Sequence, residues 1–208
     1  MMTGEGGMLV TNDEEIAKTA QMVRNHGEVI LELKQRTYKS EFLGLGYRMT
    51  ELEAAIGIAQ LSKLDKLNDE RIQLTNYLSA EINKIDGLHT KYDNVKHVYW
   101  MFGFSFNEEK TGLDRDIFCE ALRAEGIPCA AGYVKPLYLD PLYLEKRAFA
   151  FKHYTGKMKY EKGICPVAES LHEKNLINTL IARPPAVMTD MQDIINAINK
   201  ILENKNEL

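Results

Sequence analysis

The chain has 208 residues, of which 45% are hydrophobic and 27% charged, and its formal net charge is −4 at pH 7. This composition is typical of a globular protein with one large or two small domains, and it offers no basic surface for nucleic acid or anionic lipid. Its three cysteines form no CxxC pair, which favours reduced thiols in the cytoplasm over a disulfide framework or a metal site.

The N-terminal residues predict a glycine turn, a strand and a helix in quick succession. The turn, Gly4–Gly7, is either a plain tight turn or a cradle for a phosphate. The apolar run Met8–Thr11 predicts a strand, and Asn12 or Asp13 can cap a helix that ends near Gly27. A strand in this position needs partners from elsewhere, so we expect the chain to be part of a longer protein. No segment resembles a signal peptide or a membrane helix, which requires about 20 apolar residues.

A helix or helix pair is predicted over residues 50–86, after a loop over 28–48. It begins at Thr50 and Glu53, which are spaced to form a capping box. Residues 54–61 are apolar on nearly every face, which predicts a helix buried on several sides. Because the remaining residues cannot cover all of these faces, we expect the chain to self-associate through this helix.

Residues 87–208 carry the pattern of a small α/β domain. An alternating aromatic run predicts a strand over 98–106, and a second strand is predicted over 127–131. Between them lies a predicted helix over 114–125, with Ile117, Ala121 and Leu122 facing inward. A final helix is predicted to start with a capping box at Thr189–Gln192, after a long irregular segment over 132–185.

The residues alone assign no catalytic group. His26 follows a helix and is explained as a cation at its C-terminus, and Tyr133 belongs to a tyrosine-rich loop that is explained by packing. No Ser/His/Asp or Cys/His arrangement and no carboxylate pair is indicated by the spacing. The residues by themselves therefore predict an incomplete α/β protein without an assigned function.

Several motifs, in order along the chain, resemble those of the DegT/DnrJ/EryC1/StrS aminotransferases. The resemblance implies an aspartate-aminotransferase-like α/β fold (fold type I), a homodimer with its active site at the subunit interface, and pyridoxal phosphate as cofactor. It also divides the chain into a remnant of the large cofactor domain, residues 1–86, and a small C-terminal domain, residues 87–208. The motifs are Thr3–Asp13, Arg24–Gly27, Gly46–Glu51 before Ala54–Gly57, Gly126–Pro128, Gly132–Tyr133, Lys135–Leu137, Cys165–Glu169 and Arg183–Pro185.

The resemblance also implies which site residues are present and which are absent. The lysine that holds the cofactor as a Schiff base in the family aligns just ahead of Met1, and no lysine of this chain occupies that position. The asparagine that reaches the cofactor phosphate of the partner subunit is replaced by Gly46. For the substrate pocket the resemblance suggests His26, Tyr47, Arg48 and Tyr133.

The expected function is therefore that of the family, which aminates keto-sugars linked to nucleotides with glutamate as the usual donor. We expect that this chain, a C-terminal portion without the lysine, is not catalytically competent alone and does not bind the cofactor covalently. Two alternatives stay open: a non-catalytic dimerisation, ligand-binding or regulatory protein derived from the family, and one half of a split enzyme.

Overall fold

The computed structural model describes residues 1–28, 39–90 and 94–208. These residues divide into two compact units, Met1–Lys66 and Leu67–Leu208. The predicted partition into a cofactor-domain remnant, 1–86, and a small domain, 87–208, stays a prediction, because compactness does not identify a domain's origin.

The first unit contains two capped helices. Helix α1 (Glu14–Arg24) begins where the Asp13 carboxylate accepts hydrogen bonds from two first-turn N–H groups. Helix α2 (Glu51–Leu61) begins with the predicted capping box: Thr50 Oγ1 accepts from the Glu53 N–H at 3.3 Å, and the Glu53 carboxylate accepts from the Thr50 N–H at 2.8 Å. Both predicted helix starts are confirmed.

Two predictions for the first unit are wrong: the strand at Met8–Thr11 and the burial of helix α2. Residues Met8–Thr11 form no strand within the described ranges, and Met8 and Val10 are 83% and 87% exposed. A strand exists only when its backbone groups pair with a neighbour, and here no described strand offers them. Helix α2 has no buried residue, although burial on several sides was expected. Among the residues that the structure describes, none buries its apolar side chains.

The second unit is a four-stranded antiparallel sheet packed with helices. Its strands, in the order β1-β2-β4-β3, are β1 (Leu88–His89), β2 (Phe102–Phe106), β3 (Ala130–Ala131) and β4 (Leu176–Thr179). Its longer helices are α3 (Leu64–Ile82), whose first three residues belong to the first unit, α5 (Arg115–Ala124) and α8 (Met188–Glu203). The short helices are α4 (Glu108–Thr111), α6 (Pro141–Leu144) and α7 (Pro166–Ser170).

Phenylalanines of β2 and aliphatic residues of the three long helices form the core of this unit. Its fully buried large side chains include Leu78, Phe102, Phe118, Ile177 and Ile198. The predicted helix pair over 50–86 is confirmed as α2 and α3, and the predicted order of strand, helix, strand and final helix is confirmed as β2, α5, β3 and α8. Across the described ranges, no helix is long and apolar enough to cross a bilayer.

The prediction of an irregular segment over 132–185 is wrong, because it contains β4, a central strand. Half of the β4 residues are polar, so the segment lacks the apolar pattern from which a buried strand is predicted. The structure satisfies these polar groups within the sheet region: Thr179 Oγ1 donates to the carbonyl of Pro128 at 2.6 Å, and Asn178 Nδ2 donates to the carbonyl of Gly132.

Two element boundaries and the buried face of one helix differ from the prediction. Strand β2 starts at Phe102 rather than at 98, because Tyr99 has a positive φ of 48° that a strand does not allow. Ile117 of α5 is 41% exposed rather than inward, and Phe118 and Cys119 are buried instead. Helix α8 starts at Met188, and its cap is the Asp190 carboxylate accepting from the Val187 N–H at 2.7 Å rather than a box at Thr189.

Candidate functional site

Four of the candidate residues, His26, Gly46, Tyr47 and Arg48, lie on one short antiparallel pairing just after α1. The N–H of Tyr47 donates to the carbonyl of Arg24 at 3.0 Å, and the N–H of His26 donates back across the pair at 3.1 Å. Between these two bonds Gly46 stands opposite the residue before His26. Two motifs that are separated in the sequence therefore meet in space.

The guanidinium of Arg48 is oriented by Asn25. Arg48 Nη1 donates to Asn25 Oδ1, and the same amide donates through Nδ2 to Glu28 Oε2 at 3.0 Å. An amide is neutral, so its bond to Arg48 fixes the direction of the guanidinium without neutralising it. Arg48 remains exposed. An oriented guanidinium with donors left over is suited to a carboxylate or a phosphate.

Gly46 is crowded by the imidazole of His26. A Cβ atom at Gly46 would lie 3.1 Å from His26 Cε1, which is closer than an ordinary van der Waals contact. His26 itself has a positive φ of 60°, so the turn directs its side chain toward this position. In the pairing described above, the N–H of Gly46 makes no hydrogen bond to the opposite strand. Among the described residues this N–H therefore has no acceptor, so it is available to a ligand.

A large open cavity of about 1340 Å³ lies next to this pairing within the first unit. Its walls are residues 5–11, one side of α1, and Tyr47, Arg48 and Met49. Met8, Leu9 and Val10 form an apolar part of the lining, and the charged residues of the lining are Glu5, Glu15, Arg24, Arg48 and Glu53. His26 does not line this cavity.

Tyr133 belongs to the second unit and follows a turn that only glycine can form. Gly132 has a positive φ of 69°, and a Cβ atom there would lie 2.4 Å from the carbonyl oxygen of His172. The imidazole Nδ1 of His172 lies 3.0 Å from the carbonyl oxygen of Tyr133. The Tyr133 ring is half-exposed and stands edge-on to Trp100, with 6.3 Å between the ring centroids.

The structure also contains a polar pair that sequence reasoning missed. Glu169 is only 6% exposed, and its carboxylate accepts hydrogen bonds from the Tyr138 hydroxyl and from the Gly163 N–H at 2.6 Å. The bond from Tyr138 lowers the pKa of Glu169, while burial and then this bond raise the pKa of Tyr138 to about 12. The pair ties both ends of the long 133–165 segment to α7. The only signal in the sequence was an acid at the end of the Cys165–Glu169 motif.

Comparison with known proteins places these features in a family. Residues 1–198 match the model of the DegT/DnrJ/EryC1/StrS aminotransferase family. The uncharacterized protein MJ1066 of Methanocaldococcus jannaschii is 31% identical over 98% of this chain and 51% of its own length. The GDP-perosamine synthase of Caulobacter vibrioides is 32% identical over 68% of this chain and 37% of its own length.

A solved aminotransferase from Psychrobacter cryohalolentis superposes with a TM-score of 0.77 at 22% identity, over 98% of this chain and 53% of that one. The expected fold class, part of a fold type I aminotransferase, is thereby confirmed. The chain spans about half the length of the relatives that it matches over its whole extent. With the family model covering nearly every residue, the chain belongs to the DegT/DnrJ/EryC1/StrS aminotransferase family.

Proposed function

We propose that this chain is the C-terminal portion of a cytoplasmic aminotransferase that moves an amino group from glutamate to a keto-sugar linked to a nucleotide. The observation that carries the proposal is the family match over residues 1–198, which includes the paired motifs around His26 and Gly46. A relative that synthesises GDP-perosamine supports a nucleotide-linked sugar as the substrate class. Three free cysteines suit a reducing compartment.

The residues of this chain fit only part of a pyridoxal phosphate site. Gly46 retains one backbone N–H for the phosphate, but it lacks a side-chain donor, and a Cβ atom there would press on the His26 ring. No lysine of the chain stands at the family's covalent position. We therefore assign no cofactor step to these residues, and the proposal includes that the 208-residue chain does not hold the cofactor covalently.

The proposed task of this chain is substrate binding. Arg48 is oriented by Asn25 and keeps its charge, so it would bind an anionic group of the donor or of the nucleotide. Tyr47 projects beside it, and its phenol can donate a hydrogen bond while its ring covers an apolar sugar face. The resemblance also suggests His26, in the first unit, and Tyr133, in the second, and each of these side chains is exposed.

The proposal also includes a homodimer formed through α2. Leu52 and Ile58 of this helix are 79% and 74% exposed, and Leu61 is 61% exposed. Exposed apolar side chains grouped on one helix normally belong to an interface. The family resemblance assigns the active site to such an interface, which is why the self-association bears on function.

The experiment that tests the function supplies the missing lysine. The lysine-bearing half of a family member would be fused ahead of residue 1, and amino transfer from glutamate to a nucleotide-linked keto-sugar would be measured. We expect turnover, with Arg48→Ala raising KM for the anionic ligand about ten-fold or more, because a hydrogen bond to a charged group contributes about 1.5–3 kcal/mol. Lys18→Ala is the matched control, since Lys18 is an exposed cation of α1 that does not line the cavity.

Three other outcomes would each point elsewhere. Turnover by the separately expressed halves after mixing would support a split enzyme. A folded fusion that self-associates but transfers no amino group would favour the non-catalytic alternative. Equal effects of the Arg48 and Lys18 substitutions would contradict the binding task assigned to Arg48.

A further inference from the structure

Two cysteines of the second unit lie close enough to touch. Cys119 stands on α5 and is fully buried, whereas Cys129 lies just before β3 and is partly exposed. Cys129 Sγ donates to the carbonyl oxygen of Cys119 at 3.5 Å, and each thiol shifts the pKa of the other. Nothing in the proposed aminotransferase function uses this pair.

The surroundings make the two sulfurs unequal. The hydrogen bond from the Cys119 thiol lowers the pKa of Cys129, and the guanidinium of Arg123, which donates to the Cys129 carbonyl at 3.2 Å, acts in the same direction. The same hydrogen bond and burial raise the pKa of Cys119. Cys129 is thus the more accessible and more acidic thiol, and Cys119 is a buried thiol beside it. An accessible, acidic thiol next to a second cysteine is the arrangement found in peroxide-sensitive sites.

We propose that Cys129 and Cys119 form an oxidation site at which a peroxide converts the two thiols to a disulfide. The Cys129 thiolate attacks one oxygen of hydrogen peroxide; the O–O bond breaks, a sulfenic acid forms, and the second oxygen leaves as water after taking a proton. The Cys119 sulfur then attacks the sulfenic sulfur, and its proton leaves with the hydroxyl group as a second water. Two thiols and one peroxide give one disulfide and two waters, and the new bond joins α5 to the segment entering β3.

Peptide mapping of the intact chain tests this directly. The reduced chain is treated with hydrogen peroxide, its remaining thiols are alkylated, and it is digested with trypsin without a reductant. Trypsin does not cut the Lys135–Pro136 bond, so cleavage after Arg115, Arg123 and Lys146 separates Cys119, in residues 116–123, from Cys129, in residues 124–146. We expect these two peptides to be joined, with the mass of two hydrogens lost, as the main product.

Two variants sharpen the result. Cys165→Ser removes the exposed cysteine and should leave the Cys119–Cys129 link unchanged. Cys119→Ala removes the second thiol, so Cys129 should accumulate as a sulfenic acid that dimedone labels. If this variant fails to fold, the peptide map of the unaltered chain still shows whether the Cys119–Cys129 disulfide forms. The proposal is overturned if peroxide oxidises Cys165 while Cys119 and Cys129 stay reduced, or if the only crosslink joins Cys165 residues of two copies.

Discussion

At the scale of single residues, Gly46 was expected from the sequence to lack a phosphate-binding side chain, and the structure adds that a side chain there would contact His26. The backbone there is not in the positive-φ region, so asparagine meets no backbone strain, but its Cβ would press on the His26 ring. In a fusion that restores the lysine, Gly46→Asn should tighten pyridoxal phosphate binding about ten-fold, since a hydrogen bond to a charged group contributes about 1.5–3 kcal/mol. Absorbance titration measures the dissociation constant.

Gly46→Ala is the control for this substitution, because it adds the contact with His26 without adding a donor. Tighter binding with asparagine but not with alanine would confirm that the position lost a phosphate ligand. Equal or weaker binding with asparagine would mean that the Gly46 N–H already serves the phosphate.

Alanine substitutions at Gly132 and Gly126 distinguish the cost of backbone strain from the cost of steric overlap. Both have positive φ, 69° and 85°, but a Cβ at Gly132 would overlap the His172 carbonyl, while a Cβ at Gly126 would meet nothing within 4 Å. Gly126→Ala should cost about 1–2 kcal/mol of the free energy of unfolding, and Gly132→Ala should cost clearly more. Urea denaturation gives both values, and equal losses would show that the overlap relaxes without cost.

Glu169 predicts an acid-dependent contribution to stability. Its pKa is depressed in the folded chain, so its contribution is present above the unfolded carboxyl pKa of about 4.3 and is lost as pH falls through the folded pKa. Glu169→Gln should therefore melt at a lower temperature than the unaltered chain at pH 7, and the gap should narrow in acid. A gap that does not change with pH would assign the effect to packing alone.

Tyr138 has the opposite dependence, because its pKa is raised to about 12. Its contribution is complete below the ordinary tyrosine pKa of about 10 and is lost between that value and about 12.

At the scale of elements, α2 is the clearest candidate for an interface. Leu52→Glu or Ile58→Glu would place a charge in the proposed contact, so either should shift the chain toward monomer in sedimentation velocity experiments. Val134→Glu, at a 60% exposed position of the other unit, is the matched control and should leave the distribution unchanged. A chain that is monomeric at every accessible concentration would contradict the predicted self-association.

Sequence patterns found the helices because helix caps and amphipathic spacing are local signals. Asp13 and Thr50 were located from side chains that bond within their own first turn. Strand β4 was missed because its signal is not local. The polar side chains of Asn178 and Thr179 can be buried there because they donate hydrogen bonds to carbonyl groups more than forty residues away.

The candidate site divides in the same way. A family resemblance suggested His26 and the segment from Gly46 to Arg48 as site residues. The backbone pairing brings the two segments next to each other. The contact of Tyr138 with Glu169 depends on how a long segment folds back onto α7, which no local pattern encodes.

At the scale of the whole molecule, the proposal that these 208 residues do not bind the cofactor covalently makes a direct prediction. When the purified chain is incubated with pyridoxal phosphate and reduced with borohydride, no single lysine should carry a stoichiometric adduct by mass spectrometry, because no amine stands at the family's position. Scattered, substoichiometric labelling of surface lysines is the expected background. One fully labelled lysine, together with conversion of glutamate, would contradict the proposal that this chain does not bind the cofactor covalently.

The strand order of the second unit also constrains when that unit can fold during synthesis. Within the described sheet, β3 pairs with β4 alone and β2 has β4 on one side, so neither completes its pairing until residues 176–179 have left the ribosome. The core further requires Ile194, Ile198 and Ile201 of α8, close to the C-terminus. Long-range pairing of this kind folds slowly. The phenylalanines of β2 therefore stay partly uncovered until α8 has emerged, and the unit should acquire protease resistance only once residues up to Ile201 are clear of the ribosome.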